Sequence, residues 1–396
     1  GGRVRPGEYP LPPSSYLFRN ESEQGNIRFE EDPNKPAEFE ALGMVTAALW
    51  TDFNNDGWPD LMVVGEFMSL HIYQNDKGTL RNMSDATGLQ NTSGWWHSIV
   101  AGDFDNDGDS DYILGNLGLN SRYKASVEEP LCIYAKDYDK NGQIDPVMCH
   151  YIDGENYIAH SRNDLIEQIN VMRVRFRSYS DYARATFEES FLKEELEDAL
   201  VVKSETFASS YLENLGNGRF RLSQLPRQAQ IAPIYGIVPG DFNGDTYLDF
   251  LAVGNFYSGE VFSGRYDASI GWLMLGDGKG NFNSLPQSES GFLVDGDAKA
   301  LARLRLGEDE AILATLNNGP LKAHKYNVAS GATYKAGPQD VAALITFADG
   351  SQRKVEFYYG EGYLSQSDRL LRIPPGASKV VVMNSKGDQT EIALEK

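Results

Sequence analysis

The stretch Asp103-Phe-Asp-Asn-Asp-Gly-Asp-Ser-Asp-Tyr-Ile-Leu-Gly115 decides how this chain is read. It opens with carboxylates on alternate residues, turns at a glycine, places another carboxylate three residues on, and runs into an apolar strand. Three other segments repeat it: Asp52-Phe-Asn-Asn-Asp-Gly-Trp-Pro-Asp60, Asp137-Tyr-Asp-Lys-Asn-Gly-Gln-Ile-Asp145 and Asp241-Phe-Asn-Gly-Asp-Thr-Tyr-Leu-Asp249. Each starts with Asp and an aromatic residue, and an apolar run follows each: Leu61–Val64, Tyr112–Leu114, Pro146–Met148 and Phe250–Val253. Three of these runs end at a glycine, Gly65, Gly115 and Gly254. Short runs rich in β-branched residues between Gly/Asp/Asn turns read as buried strands.

The shared pattern is Asp-x-Asx-x-Asx-Gly-x-x-Asp. A hard divalent cation such as calcium takes six to eight oxygens, and such a loop supplies them from positions 1, 3, 5 and 9 and from the carbonyl of position 7. The candidate ligands are Asp52, Asn54, Asp56, Trp58 (carbonyl) and Asp60 in loop one; Asp103, Asp105, Asp107, Asp109 (carbonyl) and Asp111 in loop two; Asp137, Asp139, Asn141, Gln143 (carbonyl) and Asp145 in loop three; and Asp241, Asn243, Asp245, Tyr247 (carbonyl) and Asp249 in loop four. Three to four Ca2+ ions are expected. Without metal the carboxylates repel one another, so cation binding to the folded form is expected to stabilise it. An EF-hand would need Glu at position 12; here that position holds Val63, Leu114, Met148 and Ala252. Loop four departs from the pattern with Thr246 in place of glycine.

The loops start 51, 34 and 104 residues apart. Asn/Gly hairpin turns recur at Asn75–Leu80, Asn214–Phe220 and Gly276–Phe282. The long gap holds the one helical region, an insertion at about 160–205 between strands, with Asn163-Asp164 and Ser180-Asp181 as candidate caps. A degenerate fifth unit spans 300–315 and aligns Arg303 and Arg305 with ligand positions, so a guanidinium there is read as replacing the cation's charge. Residues 1–40 read as the tail of an earlier unit, through Tyr16–Phe18 and Ile27–Phe29. From 331 to 396, alternating segments at Val341–Phe347, Lys354–Tyr359 and Lys379–Met383 suggest a separate small β domain.

The chain carries 57 Asp and Glu against 36 Lys and Arg, a formal charge of −21 over 396 residues. That excess repels phosphates, so nucleic acid and anionic membrane are excluded as partners. No run of about 18 apolar residues is present to span a bilayer. The opening Gly1-Gly2-Arg3, without an initiator Met, reads as a mature form or a fragment. Cys132 and Cys149 flank loop three nearly symmetrically. A cross-strand disulfide and two buried thiols are both open, with thiols preferred. The five histidines fit no catalytic pattern. Trp95-Trp96-His97 reads as strand packing before a sugar platform. Arg173, Arg175 and Arg177 read as a solvated face, or as partners of the acidic run 188–198.

The repeats resemble the FG-GAP/VCBS repeats of integrin-α-type β-propellers. Gly360-Glu-Gly-Tyr-Leu-Ser-Gln-Ser-Asp368 resembles the signature of the ASPIC/UnbV domain, and Gly296–Ala300 and Asn317–Pro320 resemble the last blade of that family. The resemblance implies an all-β chain: a propeller of about seven blades over 1–330, incomplete if this is a fragment, then an ASPIC/UnbV-like β domain over 331–396. It also implies a secreted or cell-surface location and adhesion-like binding of a protein or glycan without catalysis. A carbohydrate-active lyase or hydrolase on a propeller scaffold is the alternative, and a deep pocket with convergent carboxylates, His and Tyr would favour it.

Overall fold

A computed structural model describes residues 1–396 apart from 24, 262, 308, 327–331 and 395–396. The chain is all-β with a few short helices. An N-terminal pair, β1 (Phe18–Asn20) and β2 (Phe29–Glu31), is followed by four antiparallel sheets. The first contains β3 (Met44–Thr51), β4 (Asp60–Met68), β5 (His71–Asp76) and β6 (Thr79–Asn82), with β7 (Gly94–Trp95) added to β4. The second contains β8 (Ser98–Gly102) and β9 (Asp111–Gly115), completed from far downstream by β14 (Ser210–Asn214) and β15 (Phe220–Gln224). The third runs β16 (Ile234–Gly240), β17 (Asp249–Gly254), β18 (Trp272–Gly276) and β19 (Phe282–Leu285). The fourth has three strands, β20 (Ala298–Leu306), β21 (Asp309–Leu316) and β22 (Lys322–Lys325).

The first strands of these sheets stand side by side, β3 against β8, β8 against β16, and β16 against β20. Each sheet buries a face against the next. Leu49, Met62 and Val64 meet Ile99, Tyr112 and Leu212. Val100, Ile113 and Tyr211 meet Ile237, Phe250 and Met274. Val238, Leu251 and Val253 meet Leu301, Ile312 and Ala314. The stretches that supply these contacts are near-continuous apolar runs because both faces of each sheet are covered. The glycines ending the apolar runs have a steric reason: a Cβ on Gly115 would lie 2.3 Å from the Ile234 carbonyl oxygen, and one on Gly254 would lie 1.5 Å from that of Pro233. Trp96 is fully buried, with its indole donating to the Thr92 carbonyl, so it is core. Among the described residues no sheet closes on itself.

The insertion is larger than the sequence suggests. Residues 116–209 interrupt the second sheet between β9 and β14, and they carry a sheet of their own, ordered β12 (Glu155–Ile158), β11 (Asp145–Ile152), β10 (Leu131–Lys136), β13 (Leu200–Ser204). Loop three joins β10 to β11, so it belongs to this nested sheet. The helices lie between β12 and β13: α1 (Arg162–Gln168), α2 (Met172–Arg175), α3 (Tyr179–Arg184), α4 (Phe187–Ser190) and α5 (Lys193–Leu196). The caps of α1 and α3 are Ser161 and Ser178, two residues upstream of the expected ones, with each serine oxygen accepting from the amide three residues on. Leu165, Ile169, Met172, Phe187 and Phe191 pack onto Val147 and Cys149. Arg175 is paired with Glu195 at 2.9 Å. The neck of the insertion is tied by Asn116, whose amide N–H donates to Ser209 Oγ and whose side chain donates to the Thr206 carbonyl.

Cys132 and Cys149 are directly opposed on β10 and β11 and joined as a disulfide, with Cα atoms 5.0 Å apart. This corrects the preference for thiols: opposed residues of an antiparallel pair fall within disulfide reach. Arg303 and Arg305 are also corrected. Both lie within β20, paired with Ile312 and Glu310, so no ligand-bearing loop exists there for a guanidinium to fill. The N-terminal apolar residues do not form a buried blade edge; Tyr16, Phe18, Ile27 and Phe29 are all exposed.

Toward the C-terminus, β24 (Asp340–Phe347) is flanked by β25 (Gln352–Glu356) and β27 (Ala377–Asn384), with β28 (Gln389–Glu391) beyond; β23 (Thr333–Lys335) pairs with β26 (Leu370–Arg372). Ala343, Ile345, Leu371, Val380 and Val382 form a separate core. The expected boundary at 330/331 lies outside the described residues.

Candidate metal loops and their supports

Each acidic loop connects two neighbouring strands of a sheet; loops one to three fold alike, and loop four shares their position 6 and position 7 contacts but takes the first Asp Oδ1 with the Gly244 N–H. In loop two, Asp103 Oδ1 accepts from the Asp107 N–H at 3.1 Å and Asp103 Oδ2 from Gly108 at 3.1 Å, while Asp107 Oδ1 accepts from Asp109 at 3.0 Å. Loop one repeats this with Asp52, Asp56, Gly57 and Trp58. Loop three repeats it with Asp137, Asn141, Gly142 and Gln143. In loop four Thr246 donates to Asp241 Oδ2 at 3.0 Å and Tyr247 to Asp245 Oδ1 at 2.8 Å. Position 6 is left-handed everywhere: Gly57 at φ 85°, Gly108 at 96°, Gly142 at 88°, and Thr246 at 77°. A β-branched residue is strained in that region.

The aromatic residue at position 2 fixes each loop to what lies beside it. Phe53 packs edge-on against Phe220, Phe104 against Phe282, and Phe242 against Tyr326. Tyr138 packs on Phe191 of the inserted unit, at 5.2 Å between centroids.

Asp103, Asp105 and Asp107 bring one carboxylate oxygen each within 4.8 Å of one another, and so do Asp137, Asp139 and Asp145. In loops one and four the third position is an amide, and Asn54 and Asn243 each donate to the carboxylate two residues on. The backbone N–H groups take some carboxylate oxygens, but Asp109 Oδ1 and Asp139 Oδ1 are buried with no partner. Desolvation, and then the Asp107 charge, pushes Asp105 up to about 6 and Asp109 up to about 8. Desolvation pushes Asp103 up to about 7 against the opposing Lys354 N–H. Buried, mutually repelling carboxylates with orphan oxygens are a donor set that a hard divalent cation relieves, so the residues fit calcium.

Position 9 has a further role that the sequence did not disclose. Asp60, Asp111 and Asp249 are fully buried at the starts of β4, β9 and β17. Each accepts from the first residue of a Gly-rich hairpin: Asp60 Oδ1 from Asn75 at 2.7 Å, Asp111 Oδ1 from Asn214 at 2.9 Å, and Asp249 Oδ1 from Gly276 at 2.9 Å. The second oxygen of Asp111 accepts from Tyr211 Oη at 2.7 Å and from the Phe104 N–H. In loop two Asp111 thus serves as a hub tying loop to sheet, apart from the triad of positions 1, 3 and 5. Burial raises Asp111 to about 8, and Asp60 and Asp249 to about 7. The recurrent hairpin Asn and Gly were the available signal.

A second support comes from β25. Lys354 Nζ donates to the Asp52 carbonyl and to Asn55 Oδ1 at 2.7 Å, and the Lys354 N–H donates to Asp103 Oδ2 at 3.0 Å. Arg353 donates to Asn106 Oδ1 at 2.9 Å and to the Thr246 carbonyl. Glu356 Oε1 accepts from the Asp52 N–H and Ser110 Oγ and pairs with Lys354 at 2.8 Å. Three loops converge on this strand. Loop three does not.

At the other end of the strands, Glu66 pairs with Arg3 at 2.5 Å, and Lys299 with Asp297 at 2.8 Å. His97 is buried against Tyr235 and pushed down to about 3 by desolvation, then by the Lys299 and Arg3 charges. A neutral imidazole stacked in this way serves packing.

Residues 52–114 match the FG-GAP-like repeat. No curated protein matches the chain. Among solved structures, the V. cholerae biofilm matrix protein Bap1 is similar at 10% identity and a TM-score of 0.23, over 100% of this chain and 58% of that one. This chain therefore spans less than two thirds of that protein. No helix among the described residues is long and apolar enough to cross a membrane.

Proposed function

We propose that this chain is a calcium-loaded, propeller-type binding module of an extracellular or cell-surface protein, without catalytic activity. The observation that carries the reading is the recurrence of one loop pattern four times, with buried, partnerless carboxylate oxygens in two of the loops. Calcium would be held by positions 1, 3 and 5 and the position 7 carbonyl, joined by position 9 in loop three, and would supply positive charge to loops that otherwise repel themselves. The four side-by-side sheets are read as consecutive blades of a ring of about seven. The segment 360–368 and the sheet built on β24 are read as the ASPIC/UnbV-type unit. Loops held on a rigid sheet scaffold are natural recognition surfaces. The partner is a protein or a glycan, since a charge of −21 disfavours polyanions.

Isothermal titration of the EDTA-stripped protein with calcium, alongside melting curves, tests this. Three to four sites with affinities of about 10⁻⁴–10⁻³ M and a raised melting temperature are expected. Absence of calcium heat and an unchanged melting curve would remove the reading.

A further inference from the structure

We propose that Arg353 and Lys354 on β25 are positioning residues for the metal loops, so that docking of the C-terminal sheet and loading of loops one, two and four with calcium favour each other. The inference rests on the calcium reading above and adds which residues outside the loops govern it.

The contacts fall on specific atoms of the loop pattern. Position 4 must be left-handed, and in loops one and two it is Asn, at φ 58° for Asn55 and 61° for Asn106. Asparagine tolerates that region, and its amide oxygen is free to accept. Lys354 takes Asn55 and Arg353 takes Asn106. Loop four has Gly244 at position 4, and Arg353 reaches the Thr246 carbonyl of that loop instead. Loop three has Lys140 at position 4, which offers no acceptor, and it lies in the nested sheet. Acceptors at position 4 thus appear only in loops that meet β25. The Lys354 N–H also holds Asp103 Oδ2, the outer oxygen of a first ligand, and leaves Asp103 Oδ1 facing Asp107.

The sign of the coupling follows from loop conformation, with charge acting against it. The Lys354 ammonium lies 3.9 Å from Asp52 Oδ2 and is paired with Glu356 at 2.8 Å, both side chains of that pair being buried, which offsets its repulsion of a cation in loop one. Arg353 lies between loop two, with Asp103, Asp105, Asp107, Asp109 and Asp111, and loop four, with Asp241, Asp245 and Asp249. A divalent ion in either loop weakens the guanidinium's attraction to it, so the charge effect taken alone opposes loading, and the favourable coupling comes from conformation. The metal in turn fixes the loop conformation that presents Asn55, Asn106 and the Thr246 carbonyl. Linkage makes this reciprocal.

The test uses the full chain. Calcium titrations of wild type, Arg353→Ala, Arg353→Lys and the exposed-face control Lys379→Ala are compared, with Asp139→Ala identifying the loop three site. Hydrogen exchange over 352–356 is followed with and without calcium. The expected result is roughly tenfold weaker binding at loops two and four in Arg353→Ala, within the usual range for coupled sites. Partial recovery in Arg353→Lys, an unchanged loop three site, and calcium-slowed exchange at 352–356 complete the expectation. Unchanged affinities in Arg353→Ala, or exchange at 352–356 indifferent to calcium, would overturn the proposal. An equal loss at loop three would show general destabilisation and would overturn it too. If wild type itself binds no calcium, the metal reading fails first; that outcome is distinct from a wild type that binds and a variant that binds equally well.

Discussion

Thr246 offers a clean test of the loop chemistry, because the strain at this residue can be separated from its contacts. Its φ of 77° is the left-handed conformation that glycine supplies in the other three loops. That region costs an L residue about 1–2 kcal/mol. Both main-chain contacts of the residue, the N–H to Asp241 Oδ2 and the carbonyl to Arg353, survive a change to glycine. Glycine returns about 0.5–1 kcal/mol through the greater freedom of the unfolded chain. Thr246→Gly should therefore stabilise the protein by a net ~0.5–1 kcal/mol, and should sharpen calcium binding at loop four. The reverse change is available in loop two. A Cβ built on Gly108, at φ 96°, meets nothing within 4 Å, so Gly108→Thr introduces backbone strain without a clash, and with the unfolded chain's lost freedom offsetting part of it should cost a net ~0.5–1 kcal/mol. Urea unfolding in excess calcium and in EDTA measures both. A neutral or destabilised Thr246→Gly, or a tolerated Gly108→Thr, would refute the claim that position 6 is a purely conformational requirement.

Other outcomes can be checked with the same material. In EDTA, Asp103, Asp111, Asp60 and Asp249 have folded values raised to about 7–8. The folded state then binds more protons than the unfolded one, so this stability is full below about pH 4 and is lost as pH rises through 7 to 8. The melting temperature in EDTA should fall from pH 5 to 8.5, and the gain on adding calcium should grow over the same range. A flat or rising EDTA profile would contradict this. Asp111→Asn places an amide against the donors Tyr211 Oη and the Phe104 N–H; it should cost about 2–3 kcal/mol even in saturating calcium, by urea unfolding, more than Tyr211→Phe. Joint replacement of Cys132 and Cys149 by serine opens a loop with a sequence separation of 17 and should cost roughly 3 kcal/mol, read in the same assay.

The loops, the strands that follow them and the Gly-rich hairpins were legible because each is a local pattern. Turn residues at fixed offsets and a run of apolar residues need no distant partner to declare themselves. What escaped the sequence was pairing over long range. Nothing near Leu114 announces that its sheet resumes at Ser210, so the insertion was read as helices alone. The Asp111–Asn214 bond is hidden for the same reason. Arg303 and Arg305 were misplaced although the signal was present: Leu301-Ala-Arg303-Leu-Arg305-Leu alternates with the period of a strand, not of a loop. The β25 contacts were illegible because Arg353 and Lys354 sit in an ordinary polar strand pattern. Only the tertiary arrangement brings them to Asn106 and Asn55.

The nested sheet has a consequence for how the chain reaches its fold. During synthesis β9 emerges with its neighbour β14 still 94 residues away, from 116 to 209. Joining them directly, compared with a four-residue hairpin, would cost roughly 3 kcal/mol more in loop closure. If the inserted sheet folds first and its disulfide forms, its own neck at Asn116 and Thr206 delivers β14 to β9 as a near neighbour. The insertion then acts as a folding template, and completion of the second sheet, with its acidic loop, becomes conditional on the nested unit's maturation. A chain stalled or reduced before that point would present β9 as an open edge beside an unfinished acidic loop.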